Sequence, residues 1–293
     1  MKRQTQAYCY GLATVLLWST VASAFKLSLR HMDHLQLLLY SSLASLITLT
    51  LILAAQGKLS LLLSMNRRQW LVSAAFGLVN PFLYYIVLFK AYDLLPAQEA
   101  QPLNYTWAVT LALLSIPLLG QRLSAKDLLA LLISYTGVVL ISTHGDPLGF
   151  KFSNPLGVAL ALGSTVIWAL YWIYSTRDTR DPVAGLTANF ACGTVYVLIA
   201  TALASDVVLA DWQGLAGAAY VGVFEMGLTF VLWLKALKLS ETTAKVGNLI
   251  FISPFVSLVL IHFLVGEQIL PSTIYGLVFI IAGIALQQIK GKA

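Results

Sequence analysis

AQEAQPLNYTWAVTLALLSIPLL, residues 97–119, combines two kinds of sequence in one segment. Its first part carries glutamine, glutamate and asparagine, whereas its second part is almost entirely apolar. The segment has about the 20 residues that an α-helix needs to cross the hydrocarbon core of a bilayer. Polar side chains are costly in hydrocarbon and usually face the bundle interior or a wet cavity. The stretch therefore predicts a membrane helix with one functional, polar face.

The composition of the whole chain agrees with a membrane environment. Of 293 residues, 59% are hydrophobic and 10% are charged, and the mean hydropathy is +0.82. Soluble domains typically carry about 25% charged residues. The net charge of +6 is spread between apolar runs rather than gathered in one stripe, which argues against a nucleic-acid-binding protein. The chain is predicted to contact the lipid bilayer as a multi-pass membrane protein.

Hydropathy predicts ten transmembrane helices joined by short connections. The predicted spans are 7–28, 35–56, 70–91, 97–119, 125–143, 154–175, 183–204, 212–235, 242–265 and 271–289. The first span also has the basic start and the Ala-x-Ala-like exit of a secretory signal peptide. A matching helix in the second half of the chain argues against cleavage there. The sequence thus predicts an all-α integral membrane protein.

Basic residues are distributed unevenly along the connections. With a cytoplasmic N-terminus, 14 lysines and arginines fall on the inner side and only Lys26, Arg30, Lys90 and Lys151 fall on the outer side. Cytoplasmic loops of membrane proteins carry an excess of such residues. Both termini are therefore predicted to be cytoplasmic.

Two halves of the chain resemble each other. At a shift of 145, Gly77 falls on Gly222 and Lys90 on Lys235, and at a shift of 146, Gly137 falls on Gly283. The predicted organisation is a first five-helix repeat at 1–143, a linker at 144–153 and a second five-helix repeat at 154–293. Because five is odd, the second repeat inserts upside down, which is a transporter architecture with substrate bound near the midplane between the halves.

The sequence also resembles a known superfamily. The tryptophans in LLWST (16–20) and TVIWALYW (165–172), and the motifs GQRL (120–123) and GEQI (266–269), are similar to those of EamA-type members of the drug/metabolite transporter superfamily. Among these, the chain looks most like the YddG-type aromatic amino acid exporters of bacterial inner membranes. The superfamily also includes carriers of sugar phosphates, nucleotide sugars, purines and drugs.

Polar and aromatic residues within the predicted spans are candidates for a substrate site. Residues three or four positions apart lie on the same face of a helix, so candidates with this spacing point their side chains in the same direction. Amides bind the charged groups of a zwitterion without a buried fixed charge, and aromatic rings stack on an aromatic substrate. The candidates are Asn80, Tyr84, Gln101, Asn104, Tyr105, Trp107, Ser164, Trp168, Tyr171, Trp172 and Asn248.

Helix packing and contact with the membrane interface are alternative roles for the same residues. Buried amides often hydrogen-bond only a neighbouring helix, and tryptophans near helix ends often form an interfacial belt. The belt interpretation applies best to Trp70, Trp212 and Trp233.

Glu225 is the acidic residue that lies deepest within a predicted span. An intramembrane carboxylate is a functional hypothesis by default, either as a proton carrier for energy coupling or as a ligand for a substrate ammonium. A protonated glutamate bonded to a facing helix is the structural alternative.

Proline and glycine within the spans suggest how a site could open. Proline removes a backbone hydrogen bond and permits a bend, and glycine allows close helix approach. The candidate hinges are Gly77, Pro81, Pro102, Gly163, Gly222 and Pro254.

Motifs of an intramembrane enzyme are missing from the sequence. It contains no HExxH, no GxSxG and no paired aspartates, and its two cysteines, Cys9 and Cys192, do not indicate a metal site. We therefore expect no enzyme, no cofactor and no metal. The predicted function is export of small metabolites, chiefly aromatic and other neutral amino acids. The alternatives are a multidrug or lipophilic cation carrier and a non-transport membrane subunit.

Overall fold

The computed structural model describes residues 3–119, 125–148, 153–175, 178–207, 211–240 and 248–288. Within these ranges the chain is a bundle of helices without a β-strand. The first half contains α1 (Arg3–Ser28), α2 (His34–Ala55), α3 (Leu59–Leu63), α4 (Arg67–Gly77), a π-helical segment (Leu78–Leu83), α5 (Tyr84–Leu94), α6 (Ala97–Tyr105), α7 (Trp107–Leu119) and α8 (Ala125–Ser142).

The second half has a similar order of helices, but its π-helical and 3-10 segments interrupt the helices at partly different positions. It contains α9 (Pro155–Ser175), α10 (Pro182–Ala204), α11 (Trp212–Val221), a π-helical segment (Gly222–Gly227), α12 (Leu228–Leu239), a 3-10 turn (Asn248–Phe251), α13 (Ile252–Leu260), a π-helical segment (Ile261–Val265) and α14 (Pro271–Gln288).

Helix lengths and apolar composition agree with a multi-pass membrane protein. Six helices of the described chain are long and apolar enough to cross a membrane: Arg3–Ser28, His34–Ala55, Arg67–Leu94, Pro155–Ser175, Pro182–Ala204 and Trp212–Trp233. Leu129–Ser142, Ile252–Val265 and Pro271–Leu286 are shorter apolar helices. The predicted span 97–119 is interrupted at Thr106, and the predicted span 242–265 begins outside the described residues. The number of ten crossings stays a prediction.

Helices α8 and α14 pack through glycines at equivalent positions of the two repeats. A Cβ on Gly137 would meet backbone atoms of Gly276 and Ile280, and a Cβ on Gly283 would meet backbone atoms of Ala130 and Ser134. The shift of 146 that joins the two glycines also maps 130 to 276 and 134 to 280. The same close contact is therefore made twice, once from each half, as expected for two copies of one fold.

A second pair of equivalent contacts surrounds the kinks in the middle of the bundle. A Cβ on Gly77 would meet the Asn189 carbonyl and the Gly193 amide of α10. A Cβ on Gly222 would meet the Ser41 carbonyl and the Ser45 amide of α2. A π-helical segment begins at or next to each glycine, so both helices change direction where they cross a neighbour. Both glycines are needed because the crossing leaves no room for a side chain.

The remaining candidate hinges lie in different surroundings. Pro81 is inside the first π-helical segment, Pro102 is inside α6, and Pro254 is buried in α13. A Cβ on Gly163 would meet nothing within 4 Å, so close packing does not require a glycine here. Whether any of these positions bends during function stays a prediction.

Candidate functional site

Aromatic rings from α5 and α9 form the centre of the candidate site. The Tyr84 and Trp168 rings stack with centroids 4.5 Å apart and planes 27° apart. Trp168 also stacks on Tyr171, at 5.9 Å and 24°, and meets the edge of Trp172 at 5.7 Å. Spacings of three and four residues place these α9 rings on one helix face. The structure therefore brings together four of the six aromatic candidates, Tyr84, Trp168, Tyr171 and Trp172.

Phe230 of α12 completes this cluster, although the sequence pattern does not select it. Its ring is nearly parallel to that of Trp172, with centroids 6.5 Å and planes 7° apart, and it meets the edge of Trp168 at 5.8 Å. It also contacts Trp18 of α1, which falls on Trp168 at a shift of 150 residues. Neither hydropathy nor a sequence motif distinguishes this phenylalanine from the other apolar residues of its helix. Only the position of Trp18 opposite Trp168 in the repeat could have pointed to a shared neighbour.

The amides and the tyrosine of α6 lie beside the aromatic cluster. Asn104 Nδ2 donates to Ser164 Oγ of α9 at 2.9 Å, and the Tyr105 hydroxyl donates to Ser253 Oγ of α13 at 2.6 Å. Gln101 is buried, and its Oε1 has no hydrogen-bond partner within the described chain. Buried polar atoms are nearly always hydrogen-bonded, so Gln101 Oε1 is an exception within the described chain.

Asn80 is a second unpaired amide in the middle of the bundle. It lies in the π-helical segment Leu78–Leu83 with non-helical φ and ψ of −147° and 120°. The residue is fully buried, and neither its Oδ1 nor its Nδ2 has a partner among the described residues. The Asn80 side chain therefore makes no hydrogen bond to a neighbouring helix within the described ranges.

Glu225 lies in the π-helical segment Gly222–Gly227 and faces α5. Its Oε1 accepts a hydrogen bond from the Tyr85 hydroxyl at 3.2 Å, whereas its Oε2 is buried without a partner among the described residues. The sequence pattern does not distinguish Tyr85 beyond its position next to Tyr84, because tyrosine is common in membrane helices.

Trp107 and Asn248 are less well defined. Trp107 is half-buried at the start of α7, against the edge of the apolar core. Asn248 begins the 3-10 turn before α13, but its side chain lies outside the described part of the structure.

The beginning of α6 has a structural role. The Glu267 carboxylate accepts from the backbone amides of Ala97 (2.8 Å) and Gln98 (3.0 Å), which caps the helix N-terminus. Gln98 Nε2 donates to the Gln268 carbonyl at 2.8 Å, and Gln98 Oε1 accepts from the Leu270 amide at 2.9 Å. We call these bonds between Ala97–Gln98 and Glu267–Leu270 the clasp. The clasp fixes α6 to the connection before α14.

The connection between the two halves binds the next residue of α6. The Glu99 carboxyl is almost fully buried, and His144 Nε2 lies 2.7 Å from its Oε1. Ser153 Oγ donates to the other oxygen, Oε2. Each carboxylate oxygen thus has a partner from the predicted linker 144–153. Charge distribution along the sequence places Glu99 on the outer side but does not identify these partners.

Charged residues in the connections that precede α3 and α10 are also paired. Arg180 donates to both oxygens of Asp178 and to Ser73 Oγ of α4, while Lys58 binds Asp181 at 2.7 Å. Burial alone would raise the pKa of Asp181, but the Lys58 ammonium and the first amides of α10 hold that pKa below its ordinary value. The Lys58–Asp181 ion pair and the Arg180–Ser73 hydrogen bond join the first half of the chain to the second at this end of the bundle.

Helices from two related halves, packed around buried aromatic and polar side chains, define the class of multi-pass membrane transporters. The sequence profile described as the EamA-like transporter family matches residues 5–143 and again residues 155–287. The chain belongs to the EamA-like transporter family.

Several curated relatives are distant over long alignments. An aromatic amino acid exporter named YddG from Ancylobacter novellus is 27% identical, with 88% of this chain and 88% of that protein covered. The uncharacterized transporter YvbV of Bacillus subtilis is 26% identical, covering 78% of this chain and 74% of that protein. An uncharacterized transporter from Archaeoglobus fulgidus is 26% identical over 94% of this chain and 95% of that protein.

A solved crystal structure supports the fold. It superposes with a TM-score of 0.70 at 23% sequence identity, and the alignment covers 97% of this chain and 96% of that chain. At this identity the likeness concerns the fold alone.

Proposed function

We propose that this protein exports aromatic and other neutral amino acids across a bacterial inner membrane by alternating access. The observation that carries the proposal is the stack of Tyr84 on Trp168 beside the amides of α6. Flat aromatic walls bind an aromatic side chain, and Gln101, Asn104 and Asn80 offer hydrogen bonds to the amino acid backbone. A relative is named as an aromatic amino acid exporter, which agrees with this chemistry.

The proposal includes the arrangement of the chain in the membrane. Repeats 1–143 and 154–293 insert in opposite directions, and both termini face the cytoplasm. The kinks that begin at Gly77 and Gly222 occupy equivalent places in the two repeats, so bending there would change both halves in the same way. Alternating access then follows from opening one end of the bundle as the other closes.

The test is a competition assay in proteoliposomes with labelled phenylalanine. We expect Trp168→Ala to weaken competition by phenylalanine about two- to twelvefold, because a stacked aromatic pair contributes about 0.5–1.5 kcal/mol beyond area burial. Competition by leucine and alanine should change much less. Trp212→Ala is the matched control, since Trp212 is exposed on the bundle surface and should leave the preference unchanged.

Two outcomes would contradict the proposal. If folded Trp168→Ala keeps the full preference for phenylalanine, the aromatic cluster serves packing only. If the wild type transports a lipophilic cation but no amino acid, the protein is instead a multidrug carrier of the same superfamily.

A further inference from the structure

The carboxyl group of Glu225 is the least satisfied acidic side chain in the middle of the bundle, within the described part of the chain. It is buried, and its partner is the neutral hydroxyl of Tyr85. Among the described residues, Oε2 has no hydrogen-bond partner, and no lysine, arginine or histidine forms an ion pair with this carboxyl. A buried carboxylate without a counter-ion is strongly unfavourable.

Glu99 is the informative contrast within the same protein. Both acids are buried, but the two oxygens of Glu99 bind His144 and Ser153. Glu99 therefore leaves no oxygen for a ligand. Glu225 keeps one oxygen unpaired, so the two residues differ in available hydrogen-bonding capacity rather than in burial.

Glu225 is connected to the aromatic cluster through Tyr85. The Tyr85 ring lies 4.7 Å from the Tyr84 ring, and Tyr84 stacks on Trp168. Along its own chain Glu225 precedes Phe230, whose ring also meets Trp168. The carboxyl group thus lies at the border of the aromatic wall that we assign to the substrate.

We propose that Glu225 binds the primary ammonium group of the substrate. An ammonium group has three donors and one positive charge, so it supplies both the missing hydrogen bond at Oε2 and the missing counter-ion. The neighbouring ring faces of the tyrosines add attraction for the same cation. The substrate class is then aromatic compounds that carry a primary ammonium group. This inference rests on the proposed function.

The experiment measures binding of four related ligands to purified protein by titration calorimetry. L-Phenylalanine carries an ammonium and a carboxylate, 2-phenylethylamine only the ammonium, 3-phenylpropionate only the carboxylate, and 2-phenylethanol neither charge. In the wild type, 2-phenylethylamine should bind at least tenfold more tightly than 2-phenylethanol and 3-phenylpropionate.

Substitutions at the two buried acids separate charge from packing. Glu225→Gln should weaken phenylalanine and 2-phenylethylamine at least tenfold and leave 2-phenylethanol unchanged. Glu225→Asp, which keeps the charge, should retain part of the ammonium preference. Glu99→Gln is the matched control and should leave the ratio between the ligands unchanged.

Each result has a distinct meaning. A folded Glu225→Gln protein that binds phenylalanine as the wild type does would overturn the inference and leave the proposed function intact. If Glu225→Gln does not fold, the wild-type protein alone tests the inference. Binding of 2-phenylethylamine and 2-phenylethanol with the same affinity would then overturn it. A folded wild type that binds and transports no aromatic amino acid would overturn the proposed function itself.

Discussion

The two ends of the short helix α6 use polar side chains for opposite purposes. At its start, Gln98 and Glu99 are fully paired with the connection before α14 and with the predicted linker. One turn later, Gln101 Oε1 has no partner among the described residues, and Asn104 lies beside the aromatic cluster. Polar residues of a single membrane helix can therefore have different roles. Near the helix start these side chains satisfy backbone groups and loops. Later in the helix, Asn104 and Tyr105 bond side chains of α9 and α13, and Gln101 Oε1 has no partner among the described residues.

The largest expected effect concerns the side of the membrane that the clasp faces. Leu148 lies in the predicted linker, Leu63 ends the short helix α3, and both are highly exposed. In a protein without Cys9 and Cys192, Leu148→Cys should react with an impermeant thiol reagent in intact cells, and Leu63→Cys should not. Labelling of Leu63→Cys alone would show the opposite orientation, and labelling of both variants would contradict the predicted topology.

The next prediction compares two residues of α6 directly. Glu99→Ala removes two hydrogen bonds to a buried carboxyl, each worth about 1.5–3 kcal/mol when the acceptor is charged. We expect a clear drop in the thermal unfolding temperature in detergent, with a retained ratio of phenylalanine to alanine transport in the folded fraction.

Gln101→Ala should do the opposite, because its Oε1 has no partner to lose within the described chain. The unfolding temperature should stay close to the wild type while transport of phenylalanine and of alanine falls by a similar factor. Equal destabilisation by Glu99→Ala and Gln101→Ala would remove the distinction between the two ends of α6.

A smaller effect should follow from removing the charge of the clasp. Glu267→Gln keeps the shape of the side chain but replaces the carboxylate at the N-terminus of α6 by an amide. A negative charge there typically stabilises a helix by about 0.3–1 kcal/mol. The thermal unfolding temperature should decrease slightly, and Asp93→Asn, at an exposed carboxyl paired with Lys90, is the control. A loss as large as that of Glu99→Ala would mean that the clasp has a role beyond capping α6.

Much of the bundle follows from local sequence. Apolar runs of about 20 residues predicted where helices such as α2, α9 and α10 begin and end, because the bilayer sets the length of a helix. The spacing of Trp168, Tyr171 and Trp172 predicted a common face, because the helix period is fixed. The repeat shift of 146 predicted that Gly137 and Gly283 are equivalent, and their reciprocal contacts agree.

The partners of polar groups did not follow from local sequence. Gln98 and Glu99 looked like their neighbour Gln101, and only the positions of Leu270, His144 and Ser153 separate their roles. Phe230 had no distinguishing feature until α12 was placed against α9.

The sequence by itself determined the membrane class, the approximate positions of helices such as α2, α9 and α10, the repeat and the residue types available for a substrate, because hydropathy and helix period are properties of neighbouring residues. The tertiary structure alone decided which polar atoms are satisfied. Hydrogen bonds and ring contacts join residues far apart in the chain, and their geometry depends on how whole helices cross. For that reason Glu99 became a structural link, and Glu225 a carboxyl with one oxygen unpaired among the described residues, only when the bundle was assembled.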